Sequence, residues 1–169
     1  MTKFSLKSIA KNAVDSALEK AVWYRALNEP LEAASICRDI LAVDPKNQRA
    51  QATLLLALTD QFSRGLGARH REAKDLAAGL ESEYEREYYA GIIHERRAKC
   101  LYHKGTPGCG HLAYQGLTQA MECYDKARGL HPPDNDDAVL RWNTCVRILE
   151  SHPDIRPEPT TLSEPVELE

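Results

Sequence analysis

The sequence predicts an all-α protein, and three observations lead to this prediction. Apolar residues recur at three- and four-residue steps through most of the chain, which is the period of an amphipathic helix. Glycine and proline are sparse before residue 103, apart from the SRGLG segment at 63–67. No segment of useful length alternates apolar and polar residues as a half-buried strand would.

Seven helices follow from this pattern, in chain order. They cover roughly residues 5–27, 30–43, 46–62, 68–83, 85–104, 114–130 and 135–150. In the second helix, Ala33, Ile36 and Ile40 fall on one face, and Asp44-Pro45 ends the helix because proline cannot continue the hydrogen-bond ladder. The last helix follows a run of acidic residues, whose charge suits the N-terminal end of a helix dipole.

The chain divides into three predicted segments. Its 169 residues suffice for one domain with a sizeable core. An N-terminal segment at 1–11 has the pattern of a short amphipathic helix, with Phe4, Ile9 and Val14 near one face, and the helical domain covers 12–150. Residues 151–169 contain four prolines and a net acidic charge, so we expect a disordered tail that can be removed without loss of the fold.

Composition excludes several classes of partner. The net charge of −3 gives no global attraction for nucleic acid. The longest apolar run, at 54–58, is far too short to span a bilayer, so no membrane span is expected. The first residues lack the continuous apolar core of a secretory signal, and the cysteines number five, which is odd. We therefore expect a cytoplasmic protein without a disulfide framework.

Three segments share one spacing of small and apolar residues. They read Ala33-x3-Cys37-x2-Ile40-x4-Pro45, Ala73-x3-Ala77-x2-Leu80-x4-Glu85 and Ala120-x3-Tyr124-x2-Ala127-x4-Pro132. This spacing resembles the second helix of the tetratricopeptide repeat (TPR) family, in which small residues let the two helices of a hairpin pack tightly. The resemblance implies a right-handed array of helical hairpins, with about three degenerate repeats plus a capping helix.

The sequence departs from the family pattern in two ways. Its repeats are longer than the family period of about 34 residues, with the excess in SRGLG and in KGTPGCGHLAY at 104–114, and the middle repeat has Glu85 where the family has proline. A generic helical bundle is the alternative fold.

The resemblance also implies a function. In this family the first helices of the hairpins line a concave groove that binds peptides. Carried onto this chain, the groove residues are Arg25, Gln51, Leu54, Arg96, Lys99, Tyr102 and His103, together with Leu18, Glu19, Val22 and Leu58. Arg96, Lys99 and His103 share one helix face, which suits an acidic, extended peptide, although a solvated charged face without a ligand is the alternative.

We therefore predict a non-enzymatic scaffold or adaptor that binds a protein or peptide, with no catalytic residues. The acidic tail is expected to compete for the same cationic face, because a short tether gives a high effective concentration.

The segment at 104–114 leaves a second function open. A phosphate-binding loop is excluded, because the segment follows a helix and Gly110 precedes His111 instead of a lysine. Four side chains could bind zinc, namely Cys100, His103, Cys109 and His111, and Cys109 could be a reactive thiol. The favoured interpretation is an enlarged inter-helix turn without a cofactor, and the alternative is a zinc-stabilised or redox-sensing regulatory module.

Overall fold

A computed structural model describes residues 4–158, which form seven α-helices and two short 3-10 helices, with no strand in that range. The α-helices are α1 (Val14–Ala26), α2 (Pro30–Val43), α3 (Gln48–Thr59), α4 (Gly67–Ala78), α5 (Glu83–His103), α6 (Cys109–Leu130) and α7 (Asp137–Ser151). The 3-10 helices are Lys11–Ala13 and Phe62–Arg64. The all-α prediction is confirmed.

The helices pack in chain order, and the odd-numbered helices also contact one another. Each helix packs against the next, and α3 contacts both α1 and α5. Helix α3 therefore packs against both α1 and α5, and α2 and α4 each pack against two of these three helices. Arg38 of α2 and Glu72 of α4 form an ion pair at 3.0 Å, which links these two helices. We call the surface formed by α1, α3 and α5 the odd-helix face.

Small residues set the distance between neighbouring helices. Ala33, Ala73 and Ala120, the first residues of the three similar segments, are all completely buried. A Cβ atom added at Gly116 of α6 would lie 2.8 Å from the Ala98 Cβ of α5. Because real Cβ atoms do not approach so closely, the α5–α6 packing requires glycine at this position.

Local signals fix several helix ends. Asn47 caps α3, because its side chain accepts a hydrogen bond from the Ala50 amide, and Ser82 caps α5 through the Glu85 amide. Pro30 stands in the first turn of α2, where a missing amide hydrogen costs nothing. Helix α2 ends at Val43, before Asp44-Pro45, as the sequence predicts.

None of the helices among residues 4–158 combines the length and the apolar composition needed to cross a membrane.

The N-terminal helix prediction is wrong. Residues 4–10 are not helical, and α1 begins only at Val14, after a 3-10 turn. Phe4 and Leu6 are 90% and 95% exposed, so they bury almost no apolar surface. A short helix needs such burial to offset its nucleation cost, and in this segment only Ile9 packs, in part, against the core.

The tail prediction is wrong for residues 151–158. Ile155 is only 5% exposed and belongs to the core cluster of α5, α6 and α7. Gly110 makes this contact fit, because a Cβ atom there would lie 2.3 Å from the Asp154 carbonyl oxygen. The folded domain therefore extends past residue 150, and residues 159–169 lie outside the described residues.

The predicted long turn at 104–114 is shorter than expected. Helix α6 begins at Cys109, so residues 104–108 alone connect it to α5. Gly105 and Gly108 have φ angles of 63° and 78°, a left-handed conformation that glycine adopts without strain. The other glycine of the segment, Gly110, lies inside α6, where it admits the chain near Asp154.

Candidate binding face on the odd-numbered helices

One carboxylate joins helices α1, α3 and α5. Asp60, directly after α3, accepts a hydrogen bond from Arg25 Nε of α1 at 2.6 Å, and its other oxygen accepts one from Arg96 of α5. The same Arg96 nitrogen donates to Thr59 Oγ1 at 2.6 Å and to the Leu56 carbonyl at 3.2 Å. Two predicted groove residues are thus brought together by an aspartate that the sequence analysis did not select.

A second carboxylate lies fully buried beside the first cluster. Glu95 of α5 is 0% exposed and accepts hydrogen bonds from Lys99 Nζ at 2.5 Å, Tyr124 Oη at 2.7 Å and an Arg141 nitrogen at 3.2 Å. Burial raises the pKa of Glu95, but the hydrogen bonds from Lys99 and Tyr124 and the charges of Lys99 and Arg141 together hold it below its ordinary value. The carboxylate is therefore ionised at neutral pH.

The two clusters lie close enough for the charges of one to shift a pKa in the other. Burial lowers the pKa of the Arg96 guanidinium, the charge of Asp60 raises it, and the charges of Arg25 and Arg141 lower it further. Each carboxylate is shared by two cations, so each cluster carries one net positive charge. We call these six residues the basic row: Arg25, Asp60, Arg96, Glu95 and Lys99, together with Arg141, which reaches Glu95 from α7.

The cations of the basic row remain partly accessible. The side chains of Arg25, Lys99 and Arg141 are 28%, 36% and 30% exposed. Arg96 is more enclosed, in keeping with its three acceptors. A ligand that approaches this surface therefore meets three accessible cationic side chains, each already oriented by a carboxylate.

Tyrosines extend the face along the first turns of α5. The Tyr84 and Tyr88 rings stack with centroids 5.7 Å apart, and Tyr89 packs edge-on to Tyr88 at 5.3 Å. Burial raises the pKa of Tyr89 to about 12, although the nearby positive charge of Arg25 lowers it. Half-buried aromatic rings therefore adjoin the basic row, Tyr89 near Arg25 and Tyr88 near Arg141.

Near the C-terminal end of α5, the chain itself covers part of the predicted groove. Tyr102 Oη donates to the Asp154 carboxylate, with oxygen distances of 2.9 and 3.1 Å, and its ring packs edge-on to His152 at 5.4 Å. A cavity of about 110 Å³ remains there, lined in part by Lys99, Tyr102, His103 and His152. The segment that we expected to contact the cations thus binds the tyrosine beside them.

The α3 part of the predicted groove is wrong for its leucines. Leu54 is 3% exposed and belongs to the core between the first hairpins, as does Leu58. Leu18 of α1 is likewise buried. Gln51 is half-buried and donates to the Pro45 carbonyl at 3.0 Å. The three leucines are more stable buried in the core than exposed in a groove. At the end of α3, it is Asp60, directly after the helix, that reaches the face.

The four predicted zinc ligands do not come together. Cys100 packs against the core, whereas His103 is exposed at the end of α5. Cys109 and His111 lie two residues apart within α6, and a helix points such residues to different sides. Among residues 4–158, no three histidine, cysteine, aspartate or glutamate side chains are arranged to hold a metal ion. Elemental analysis of the purified protein would test the zinc prediction directly.

Sequence reasoning missed Asp60, Glu95, Tyr124 and Arg141. Only Glu95 had a local signal, because it precedes Lys99 by one helical turn, the spacing of an intrahelical ion pair. Arg141 meets Glu95 from 46 residues away, a contact that depends on how α7 packs.

No family model, no curated protein and no solved structure matches this chain. Its function is therefore argued from the chemistry of the odd-helix face.

Proposed function

We propose that the protein is a non-enzymatic scaffold or adaptor that binds an acidic protein segment or extended peptide on its odd-helix face. The observation that carries this proposal is the basic row, in which four cations surround two carboxylates. The remaining positive charge favours carboxylate-bearing partners through charge-assisted hydrogen bonds. The adjoining tyrosines offer apolar contact area with a polar edge, which suits peptide recognition.

The proposal includes a TPR-like architecture. In it, α1–α2, α3–α4 and α5–α6 are three hairpin repeats, and α7 is the capping helix. The side-by-side contacts of α1, α3 and α5 and the burial of Ala33, Ala73 and Ala120 support it. In such an array the first helices of the hairpins form one continuous binding surface.

The partial exposure of these cations limits the affinity that we expect. A partly exposed ion pair contributes less than about 1 kcal/mol, and salt screens it. A ligand carboxylate that binds Lys99 or Arg141 competes with Glu95 for that cation. Glu95 still accepts its hydrogen bond from Tyr124, so the buried carboxylate keeps a partner. We therefore expect several weak contacts along an extended ligand and an affinity that falls with ionic strength.

Selection from a displayed library of random peptides tests this function. We expect peptides enriched in aspartate and glutamate, and weaker binding of those peptides by Arg25→Ala and Lys99→Ala. The control is Arg38→Ala, which removes a more exposed arginine from the ion pair between α2 and α4. Its binding should equal that of the parent protein.

Two outcomes would contradict the proposal. One is a selection that enriches no acidic peptides. The other is equal loss of binding in Arg38→Ala and in the odd-face variants, which would show that only total charge matters.

A further inference from the structure

A second pocket lies between α4 and α5, away from the basic row. It has a volume of about 210 Å³ and is lined by Lys74, Ala77, Ala78, Arg86, Ala90, Ile93 and His94. The consecutive residues Arg96 and Arg97 point to different surfaces. Arg96 hydrogen-bonds to Asp60, directly after α3. Arg97 lies close enough to His70 of α4 for its charge to lower the pKa of that imidazole. The pocket thus has alanine and isoleucine walls and a basic rim.

Two imidazoles, His94 in the lining of this pocket and His70 nearby on α4, have buried nitrogen atoms without partners. His94 Nδ1 and His70 Nε2 are both inaccessible to solvent and form no hydrogen bond within residues 4–158. His70 also packs against the Phe62 ring, with centroids 5.9 Å apart. Buried polar atoms are normally satisfied, so each of these two nitrogens has hydrogen-bonding capacity that the described residues leave unused.

The charged groups around these imidazoles are mostly positive. Burial lowers the pKa of His94, the charges of Lys74 (α4) and Arg97 (α5) lower it further, and Glu122 of α6 opposes them with a smaller effect. For His70, burial and then the charges of Arg97, Lys74 and His94 all lower the pKa, with no opposing carboxylate.

Lys74 and Arg97 differ from the cations of the basic row. Neither forms an ion pair with any described residue, whereas each cation of the basic row has a carboxylate partner. Arg86, at the other side of the pocket, is already held by the Leu80 and Glu81 carbonyls at 2.7 and 2.9 Å. Lys74 and Arg97 therefore leave positive charge near His70 and His94 without a carboxylate partner among the described residues.

We infer that the α4–α5 pocket binds an oxyanion, a phosphate or carboxylate group carried on a small ligand with a short apolar part. Lys74 in the pocket lining supplies positive charge, with Arg97 close by, and His94 donates a ring N–H to the anion. Ala77, Ala90 and Ile93 contact the apolar part. This site is independent of the peptide-binding face, since it uses none of the residues of the basic row.

Titration of the six histidines by NMR tests this inference. The full-length protein is titrated in chloride, in inorganic phosphate and in acetate at equal ionic strength. Bound anion favours the protonated imidazole, so the pKa of His94 should rise by roughly one unit relative to chloride, with a smaller rise for His70. The phosphate and acetate arms show which oxyanion the pocket prefers.

Variants and internal controls decide the outcome. Lys74→Ala should abolish the anion-dependent rise, and Lys46→Ala, which removes an exposed lysine from the α2–α3 turn, should preserve it. The inference is overturned if neither anion moves the pKa of His94. It is equally overturned if His103 and His131 shift as much as His94, or if Lys74→Ala leaves the rise unchanged.

Discussion

Glu95→Gln should destabilise the protein strongly, because Glu95 is the buried centre of three helices. Its carboxylate accepts hydrogen bonds from Lys99, Tyr124 and Arg141, which belong to α5, α6 and α7. Glutamine has nearly the same shape, so the packing is preserved. It loses the negative charge, however. Its amide oxygen can remain toward Lys99 and Arg141 only if its NH2 group faces the Tyr124 hydroxyl, which must then accept instead of donate.

The magnitude follows from the burial of each partner. Hydrogen bonds to charged groups contribute about 1.5–3 kcal/mol each, and breaking a buried ion pair costs about 3–5 kcal/mol. Lys99 and Arg141 are 36% and 30% exposed, so both can turn toward water and recover part of this loss. We therefore expect Glu95→Gln to lower the free energy of unfolding by about 2–3 kcal/mol. Tyr124→Phe should cost only about 1–2 kcal/mol, since Glu95 keeps its two cations.

Urea unfolding monitored by circular dichroism measures these differences, with the slope m checked for constancy. The matched control is Glu19→Gln on the exposed side of α1, which should change the free energy of unfolding by less than about 0.5 kcal/mol. If Glu95→Gln is as stable as the parent protein, or more stable, then Glu95 does not link the three helices as described.

Three further predictions concern the core, the C-terminal segment and pH. Ala120→Leu should lower the free energy of unfolding by roughly 1–3 kcal/mol in thermal melts, because Ala120 is completely buried between packed helices, and an unchanged melt would contradict that contact. Truncation after Glu150 should destabilise the protein by about 1.5–3 kcal/mol through the loss of buried Ile155, whereas truncation after Glu158 keeps this contact; equal melting of the two would refute the role of Ile155. Since the pKa of His94 is lowered in the folded state, the unfolded chain binds more protons below about pH 6.5, and stability should fall there. The fall should be shallower in His94→Gln, and equal slopes in urea unfolding would contradict this assignment.

Local patterns predicted much of the fold. The three- and four-residue steps gave seven helices, and the end of α2 before Asp44-Pro45 follows from proline geometry alone. Ala33, Ala73 and Ala120 are buried as their shared spacing predicts. These features depend on residues close in sequence, so the sequence suffices to find them.

The features that sequence reasoning missed depend on tertiary contacts. The polar composition of residues 151–158 predicts disorder, yet Ile155 is buried in the core. This burial is possible because Gly110 of α6 has no Cβ atom to collide with the Asp154 carbonyl. The basic row likewise needs Asp60 between Arg25 and Arg96, residues 35 and 36 positions away. No periodicity within one helix can report such a pairing.

NMR of arginine side chains would test the proposed binding face most directly. The isotopically labelled protein is titrated with the most enriched acidic peptide from the selection, and the Nε–H signals are followed. The signals of Arg25, Arg96 and Arg141 should move together and saturate, while that of Arg38 should stay in place. A peptide that moves the signal of Arg38 and leaves those three unchanged would contradict the account.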